Sequence, residues 1–130
     1  MAQKAALDHV ALHVTDFQRS ATFYKDVILL DTIQEPFHDG NHAWFSIGGN
    51  MQLHLIGRAE QKPHLSKRVH LCFTYASLDG IIDRLARAGF FFEDLQGKKG
   101  GLTTRPDGVH QIYFQDPDGY WIEANDAAGK

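Results

Sequence analysis

Alternation of apolar and polar side chains marks four strands in this chain, and each carries a histidine or a glutamate on its less apolar face. Successive side chains on a strand point to opposite faces. Over residues 7–14, Val10, Leu12 and Val14 oppose His9, Ala11 and His13. Over residues 69–75, Val69, Leu71, Phe73 and Tyr75 oppose His70, Cys72 and Thr74. Met51, Leu53 and Leu55 oppose Gln52 and His54, and Tyr120, Ile122 and Ala124 oppose Trp121, Glu123 and Asn125. Between strands the period changes. Phe17, Ala21, Tyr24, Val27 and Ile28 recur at helical spacing and predict a helix over residues 17–30. Leu78, Ile81, Ile82, Leu85 and Ala88 predict a second over residues 78–88. Asp16 and Ser77 precede these helices as N-cap residues.

The pattern repeats. His9 aligns with His70, and each opens a strand followed by a helix. Further on, Trp44-Phe45-Ser46-Ile47, a Gly-Gly-Asn turn and Met51-Gln52-Leu53-His54 match Tyr113-Phe114-Gln115, an Asp-Pro-Asp-Gly turn and Tyr120-Trp121-Ile122-Glu123. This register sets His54 against Glu123. The reading is an α+β chain, one domain over residues 1–130, built from two βαβββ modules at about 7–57 and 68–126. Two stretches read as loops: residues 57–67, with Pro63, and residues 96–108, rich in Gly, Lys and Pro and a candidate mobile flap. Gly97-Lys98-Lys99-Gly100-Gly101 lacks the spacing and the Lys-Ser/Thr ending of a phosphate-binding P-loop.

Composition excludes several classes. A hydrophobic fraction of 43% and a charged fraction of 22% are ordinary for a soluble globular protein. A net charge of −3 gives no footprint for nucleic acid. No apolar run approaches the ~20 residues of a membrane span, and no signal-peptide pattern is visible. The single cysteine, Cys72, rules out an internal disulfide and fits a cytoplasmic protein.

Three imidazoles and a carboxylate at four cognate positions make a metal's preferred ligand set. His9, His70 and Glu123 alone form the two-histidine, one-carboxylate set that suits Fe(II). With His54 the set suits Zn, Ni, Co or Mn. Gln52 shares the face of His54, so a two-residue slip would exchange them. Cys72 reads either as a small buried side chain or as a pocket thiol. His38, His42, His64 and His110 read as loop or strand-edge residues. Trp44 and Tyr113 are cognate, and Trp121 shares the face of Glu123; each is a core or a pocket-lining residue. Arg105, in the Gly-rich loop, is solvated or reaches an anionic substrate.

Asp8-His9-Val10-Ala11-Leu12 followed by Ser20-Ala21-Thr22-Phe23-Tyr24, and the closing Asp116-Pro117-Asp118-Gly119-Tyr120-Trp121-Ile122-Glu123, carry a family resemblance. Over residues 7–125 the chain resembles the vicinal-oxygen-chelate superfamily of glyoxalases, bleomycin-resistance proteins and extradiol dioxygenases. The resemblance implies two βαβββ modules whose mixed sheets curl into a cup. It implies one divalent metal on His9, His54, His70 and Glu123, and a substrate bound through vicinal oxygens. The metal then acts as a Lewis acid. It also implies a homodimer acting on a small molecule; the charge and hydropathy above give the chain no nucleic-acid or membrane partner.

Of the activities this resemblance implies, the leading one is a glyoxalase-I-like lyase or isomerase working through an enediolate-type intermediate, with Glu123 as ligand and base. His13 and Arg58 stand where glyoxalase I places an Arg and an Asn to hold glutathione. A different, anionic oxygen chelator is therefore expected, with Arg58 and Arg105 supplying positive charge. Trp44, Tyr113 and Trp121 complete the expected pocket. An extradiol dioxygenase is the alternative suggested by Ile112-Tyr113 and the closing motif, but residues 104–106 stand where its acid–base His is expected. A metal-free drug- or metabolite-binding protein is a third reading. A fosfomycin-modifying transferase ranks below these, because its potassium loop and basic phosphonate contacts are not visible.

Overall fold

The computed structural model describes residues 3–130. The chain divides into a first unit that ends at Lys62 and a second, Pro63–Lys130. The first unit contains β1 (His9–His13), α1 (Phe17–Thr22), β2 (Thr32–Ile33), β3 (His42–Ser46) and β4 (Gln52–Ile56). Its sheet order is β1-β4-β3-β2, with β1 parallel to β4 and the other pairs antiparallel. The second unit repeats this with β5 (Leu71–Thr74), α2 (Asp79–Ala88), β6 (Thr103–Thr104), β7 (His110–Gln115) and β8 (Trp121–Asn125). Its order is β5-β8-β7-β6, with β5 parallel to β8. These are the two βαβββ modules expected.

Register carries the repeat down to single residues. Ala11 faces His54 across β1 and β4, and Cys72 faces Glu123 across β5 and β8. Trp44 faces His54, and Tyr113 faces Glu123. The slip that would have put Gln52 in the place of His54 does not occur: Gln52 faces His9.

In the first unit Leu12, Val14, Phe45, Leu53 and Leu55 from the sheet are buried together with Phe23, Tyr24, Val27 and Ile28. Burying a side chain of this size contributes about 1.5–3 kcal/mol. The second unit buries Ile81 and Leu85 of α2 with Ile112, Phe114, Ile122 and Ala124 of β7 and β8.

Three element boundaries differ from the pattern. The first helix is α-helical only to Thr22 and continues as a π-helical turn, Phe23–Val27. Ile28 N–H donates to Phe23 O (3.1 Å), and Leu29 then takes φ +69°, a left-handed conformation that no helix can continue through. The second helix begins at Asp79, but Leu78 is already helical and Ser77 Oγ accepts from Asp79 N–H (3.2 Å). The capping oxygen is therefore the one expected. Gly89, at φ +81°, ends this helix, with Phe90 N–H bonded to Leu85 O (2.9 Å). The third correction touches the site: β5 starts at Leu71, leaving His70 one residue outside the strand. A turn closed by Val69 N–H to Ser66 O (3.0 Å) delivers the chain to His70, so the pleat cannot start sooner.

The reversal between β7 and β8 is built on Asp116. Its Oδ1 accepts from Asp118 N–H and Tyr120 N–H, both at 2.9 Å, and Gly119 takes φ +95°. Asp116 and Asp118 are both buried. Among the described residues no helix is long and apolar enough to cross a membrane.

Since Asp116 sets the turn that places Tyr113 opposite Glu123, Asp116→Ala is expected to destabilise the fold by about 1–3 kcal/mol, leaving one buried and one half-buried donor unmet. Urea denaturation of the purified variant measures this; an unchanged midpoint would count against the role.

Candidate metal centre

The four expected ligands come as two pairs, one inside each unit. In the first unit, His9 at the start of β1 stacks on His54 of β4, with ring centroids 4.2 Å apart and planes at 14°. Trp44 stacks on His54 at 4.0 Å and 3°. Asp8 Oδ2 accepts from His9 Nδ1 at 2.6 Å, which leaves the Nε2 lone pair as the free donor to an ion. His54 Nε2 is bonded to Gln52 Oε1 at 2.8 Å, so Gln52 competes with an ion for that nitrogen. Burial first, and the neighbouring His9 imidazole second, hold His54 below its ordinary pKa, in the neutral form that binds metals.

A cavity of about 510 Å³ opens beside this pair, lined by Asp8, His9, Phe37, His42, Trp44, Gln52, His54 and Ile56. His42, read from sequence as a strand-edge residue, belongs to this lining. It stacks on Phe37 at 4.1 Å and bonds Asp39 Oδ1 through Nδ1 at 2.9 Å. Its place two residues before Trp44 was the available signal.

The second pair is more constrained. His70 Nδ1 lies 2.8 Å from Lys67 O. A carbonyl only accepts, so Nδ1 carries a hydrogen. Nε2, the other ring nitrogen, lies 3.2 Å from Glu123 Oε1. Glu123 is buried and surrounded by donors. Oε1 accepts from Tyr113 Oη (3.0 Å), and Oε2 accepts from Gln111 Nε2 (3.0 Å), Cys72 Sγ (3.1 Å) and Asn125 Nδ2 (3.4 Å). Burial alone would raise the Glu123 carboxyl. The bonds from Cys72, Gln111, Tyr113 and Asn125 outweigh it and hold the group below its ordinary value, ionised at neutral pH.

This imidazole and carboxylate can share a proton as an ion pair or, with Nε2 deprotonated, turn a lone pair and an anionic oxygen onto a cation. A metal bound at about 2.0–2.2 Å by each ligand sets neighbouring ligand atoms roughly 3.0–3.5 Å apart, and the His70–Glu123 separation falls in that span. The donor chemistry of the His70–Glu123 pair fits a divalent ion, and in the first pair His9 Nε2 is open to one while Gln52 engages His54 Nε2. Among the described residues, no three His, Cys, Asp or Glu side chains are grouped to hold one ion.

The remaining expected residues divide. Trp44 lines the first cavity. Tyr113 and Trp121 flank the Lys67 ammonium, which lies 5.0 and 5.2 Å from their ring centroids. Arg105 is committed to Asp107, with Nε 3.1 Å from Oδ1 and a second contact through Nη2. Its charge still acts on Glu123 and Cys72. His13 Nε2 bonds Gly57 O at 3.1 Å, and Arg58 is exposed at φ +69°; neither lines the first cavity. Cys72 is an exposed residue on the edge strand β5, but its thiol lies on the Glu123 face and reaches Glu123 Oε2. Gln111 and Asn125 were not singled out from sequence, although they alternate with Tyr113 and Glu123 on one face.

Comparison with known proteins gives a consistent family. The family model described as Glyoxalase/Bleomycin resistance protein/Dioxygenase superfamily matches residues 6–124. Metallothiol transferase FosB of Shouchella clausii is 29% identical over 123 residues, covering 92% of this chain and 78% of that protein. Glyoxylase I 4 of Arabidopsis thaliana is 24% identical, covering 91% of this chain and 68% of that protein. Among solved structures, a glyoxalase/dioxygenase from Nostoc punctiforme has a TM-score of 0.74 at 25% identity, covering 92% of this chain and 89% of its own. Oxidase ChaP-H2 has a TM-score of 0.73 at 20% identity, covering 98% of this chain and all of its own, a likeness of fold.

Burial and the neighbouring Glu123 carboxylate push the Cys72 thiol up to about 12. Only the thiolate reacts with alkylating agents, so at pH 8 Cys72 is expected to react with iodoacetamide roughly a thousandfold more slowly than an ordinary cysteine. Glu123→Gln removes the charge and should accelerate alkylation at least about tenfold. An ordinary rate in the wild-type, metal-free protein would overturn this description.

Proposed function

The chain belongs to the Glyoxalase/Bleomycin resistance protein/Dioxygenase superfamily, and from that premise we propose a metal-dependent, glyoxalase-I-like lyase or isomerase acting on a small oxygen-chelating substrate. The observation that supports the reading is His70 Nε2 set 3.2 Å from Oε1 of the buried, ionised Glu123, an imidazole and a carboxylate at the spacing of neighbouring metal ligands. In this proposal His9, His54, His70 and Glu123 hold one divalent metal. When bound, the ion supplies Lewis acidity that polarises a chelating carbonyl and stabilises negative charge developing beside it.

The chain's own residues supply the rest. Asp8 and the Lys67 carbonyl fix the tautomers of His9 and His70 so that both present Nε2. Gln111, Asn125 and Cys72 saturate Oε2 of Glu123, leaving Oε1 to the ion. Glu123 is also the proposed acceptor of the substrate's proton. Its low pKa makes it a weak base until substrate draws off one of its four donors. Tyr113, pushed up to about 12 by burial and then by Glu123, stays protonated and keeps its hydrogen for bonding.

Protein purified without chelator is expected to carry one divalent ion per chain by elemental analysis. Glu123→Gln and His70→Ala should each lose most of it. His54→Glu should keep it, since a carboxylate replaces an imidazole. Stoichiometric metal in both the Glu123 and His70 variants would sink the proposal.

Turnover of the methylglyoxal–glutathione adduct is expected to be poor, because His13 and Arg58 replace its usual contacts. One lost buried charged contact costs about 2–5 kcal/mol. Steady-state assays should set that adduct against small oxo-acids, enols and catechols, with and without oxygen. Efficient adduct turnover, unchanged in His13→Ala and Arg58→Ala, would refute this view. A second reading has support from the relative named a metallothiol transferase. An added arm with a thiol and an electrophilic acceptor tests it, a thioether product pointing to group transfer and oxygen uptake with a catechol to a dioxygenase.

A further inference from the structure

We propose that Arg68 and the cavity beside it form a subsite for an anionic oxygen group on the substrate, next to His70. This rests on the reading of His70 as part of the active centre. The cavity holds about 590 Å³ and is lined by Ser66, Lys67, Arg68, His70, Leu95 and Gln96. Neither Arg58 nor Arg105 lines it.

The cations of the second unit are not equivalent. Lys67 is spent: its ammonium bonds Glu93 Oε2 at 2.6 Å and Asp94 O at 2.7 Å. Arg87 pairs with Asp83 at 3.0 Å, Arg105 with Asp107, and Arg84 lies over the Tyr75 ring at 5.9 Å. Among the described residues of this unit, Arg68 is the one arginine whose guanidinium has neither a hydrogen bond nor an ion pair. The acidic groups in contact with lining residues are already engaged: Glu93 by Lys67, and Glu123 by its four donors and His70.

The backbone holds this free cation in place. Residues 66–69 form a turn closed by Val69 N–H to Ser66 O (3.0 Å), and Ser66 Oγ accepts from Arg68 N–H (3.1 Å). On one side the Lys67 side chain is nailed to residues 93–95, and on the other its carbonyl holds His70. Arg68 is therefore presented from a fixed turn two residues from a candidate metal ligand. A guanidinium offers five donors in a planar fork that matches carboxylate and phosphate oxygens. The Ser66 hydroxyl and the Gln96 amide add neutral donors. Leu95 provides an apolar wall. The chemistry selects a substrate whose chelating oxygens lie at one end and whose carboxylate, phosphate or phosphonate lies at the other.

The test uses the full chain, metal-free, labelled with ¹⁵N, titrated with inorganic phosphate and separately with acetate, at constant ionic strength. Saturable shifts are expected at the amides of residues 66–70 and 95–96 and at the Arg68 Nε–H. In Arg68→Gln the affinity should fall tenfold or more, with partial recovery in Arg68→Lys and no change in Arg87→Gln. Tighter binding of phosphate marks a phosphoryl or phosphonyl group, and tighter binding of acetate a carboxylate. Shifts spread over the surface, or equal affinity in Arg68→Gln, would overturn the proposal. Elemental analysis of metal-loaded samples separates the two readings. Arg68→Gln should keep its ion, whereas loss of the four-ligand assignment would show as retained metal in His70→Ala with the anion shifts intact.

Discussion

Strand register is the constraint on which everything else depends. The side-chain period of a strand is two, so a one-residue slip of β8 would turn Glu123 into the core and put Ile122 in its place. The same slip in β4 would exchange His54 for Leu53 or Leu55. Both core and site forbid it, because Leu53, Leu55, Ile122 and Ala124 are all fully buried. Tight reversals fix the count: Gly48 and Gly49 at positive φ between β3 and β4, and the Asp116–Gly119 turn between β7 and β8. Hydrophobic burial thus specifies the alignment, and the polar face inherits it.

On that inherited face the two units solve different electrostatic problems. In the first, His54 lies between His9 and Trp44, and burial keeps it neutral. In the second, a buried carboxylate is kept charged. An unpaired buried charge is costly, and four donors are arranged around Glu123 to offset that cost. The same donors have a consequence for reactivity. A carboxylate held this way is a firm ligand and a reluctant base, so its two proposed roles pull against each other. The balance is set by Tyr113 and Cys72, the two donors whose hydrogens are themselves hard to remove.

Much of this was legible in the sequence, for a physical reason. Period-two alternation and the internal repeat are global signals, averaged over many residues. They revealed all four modular positions and both registers. What they missed is local. The early end of β5 depends on the Ser66–Val69 turn, which shows no hydrophobic pattern. The π-helical turn after Thr22 arises from hydrogen-bond choice within an unbroken apolar stripe. Arg105 looked available because its pairing with Asp107, two residues on, leaves no periodic trace. Gln111 and Asn125 were missed because amides on a strand face read as surface, although here they are buried against a carboxylate.

The residues that open the two modules show how far a repeat can diverge beneath a shared position. His9 is a strand residue whose imidazole is oriented by the carboxylate of Asp8. His70 stands just outside its strand, oriented by a backbone carbonyl. Both arrangements place a hydrogen on Nδ1. The partner on the neighbouring strand differs as well: His9 stacks on a His54 that burial keeps neutral, whereas His70 meets a Glu123 that its donors keep ionised. The shared register thus fixes where each imidazole stands, and the local hydrogen-bond partners decide what it meets there.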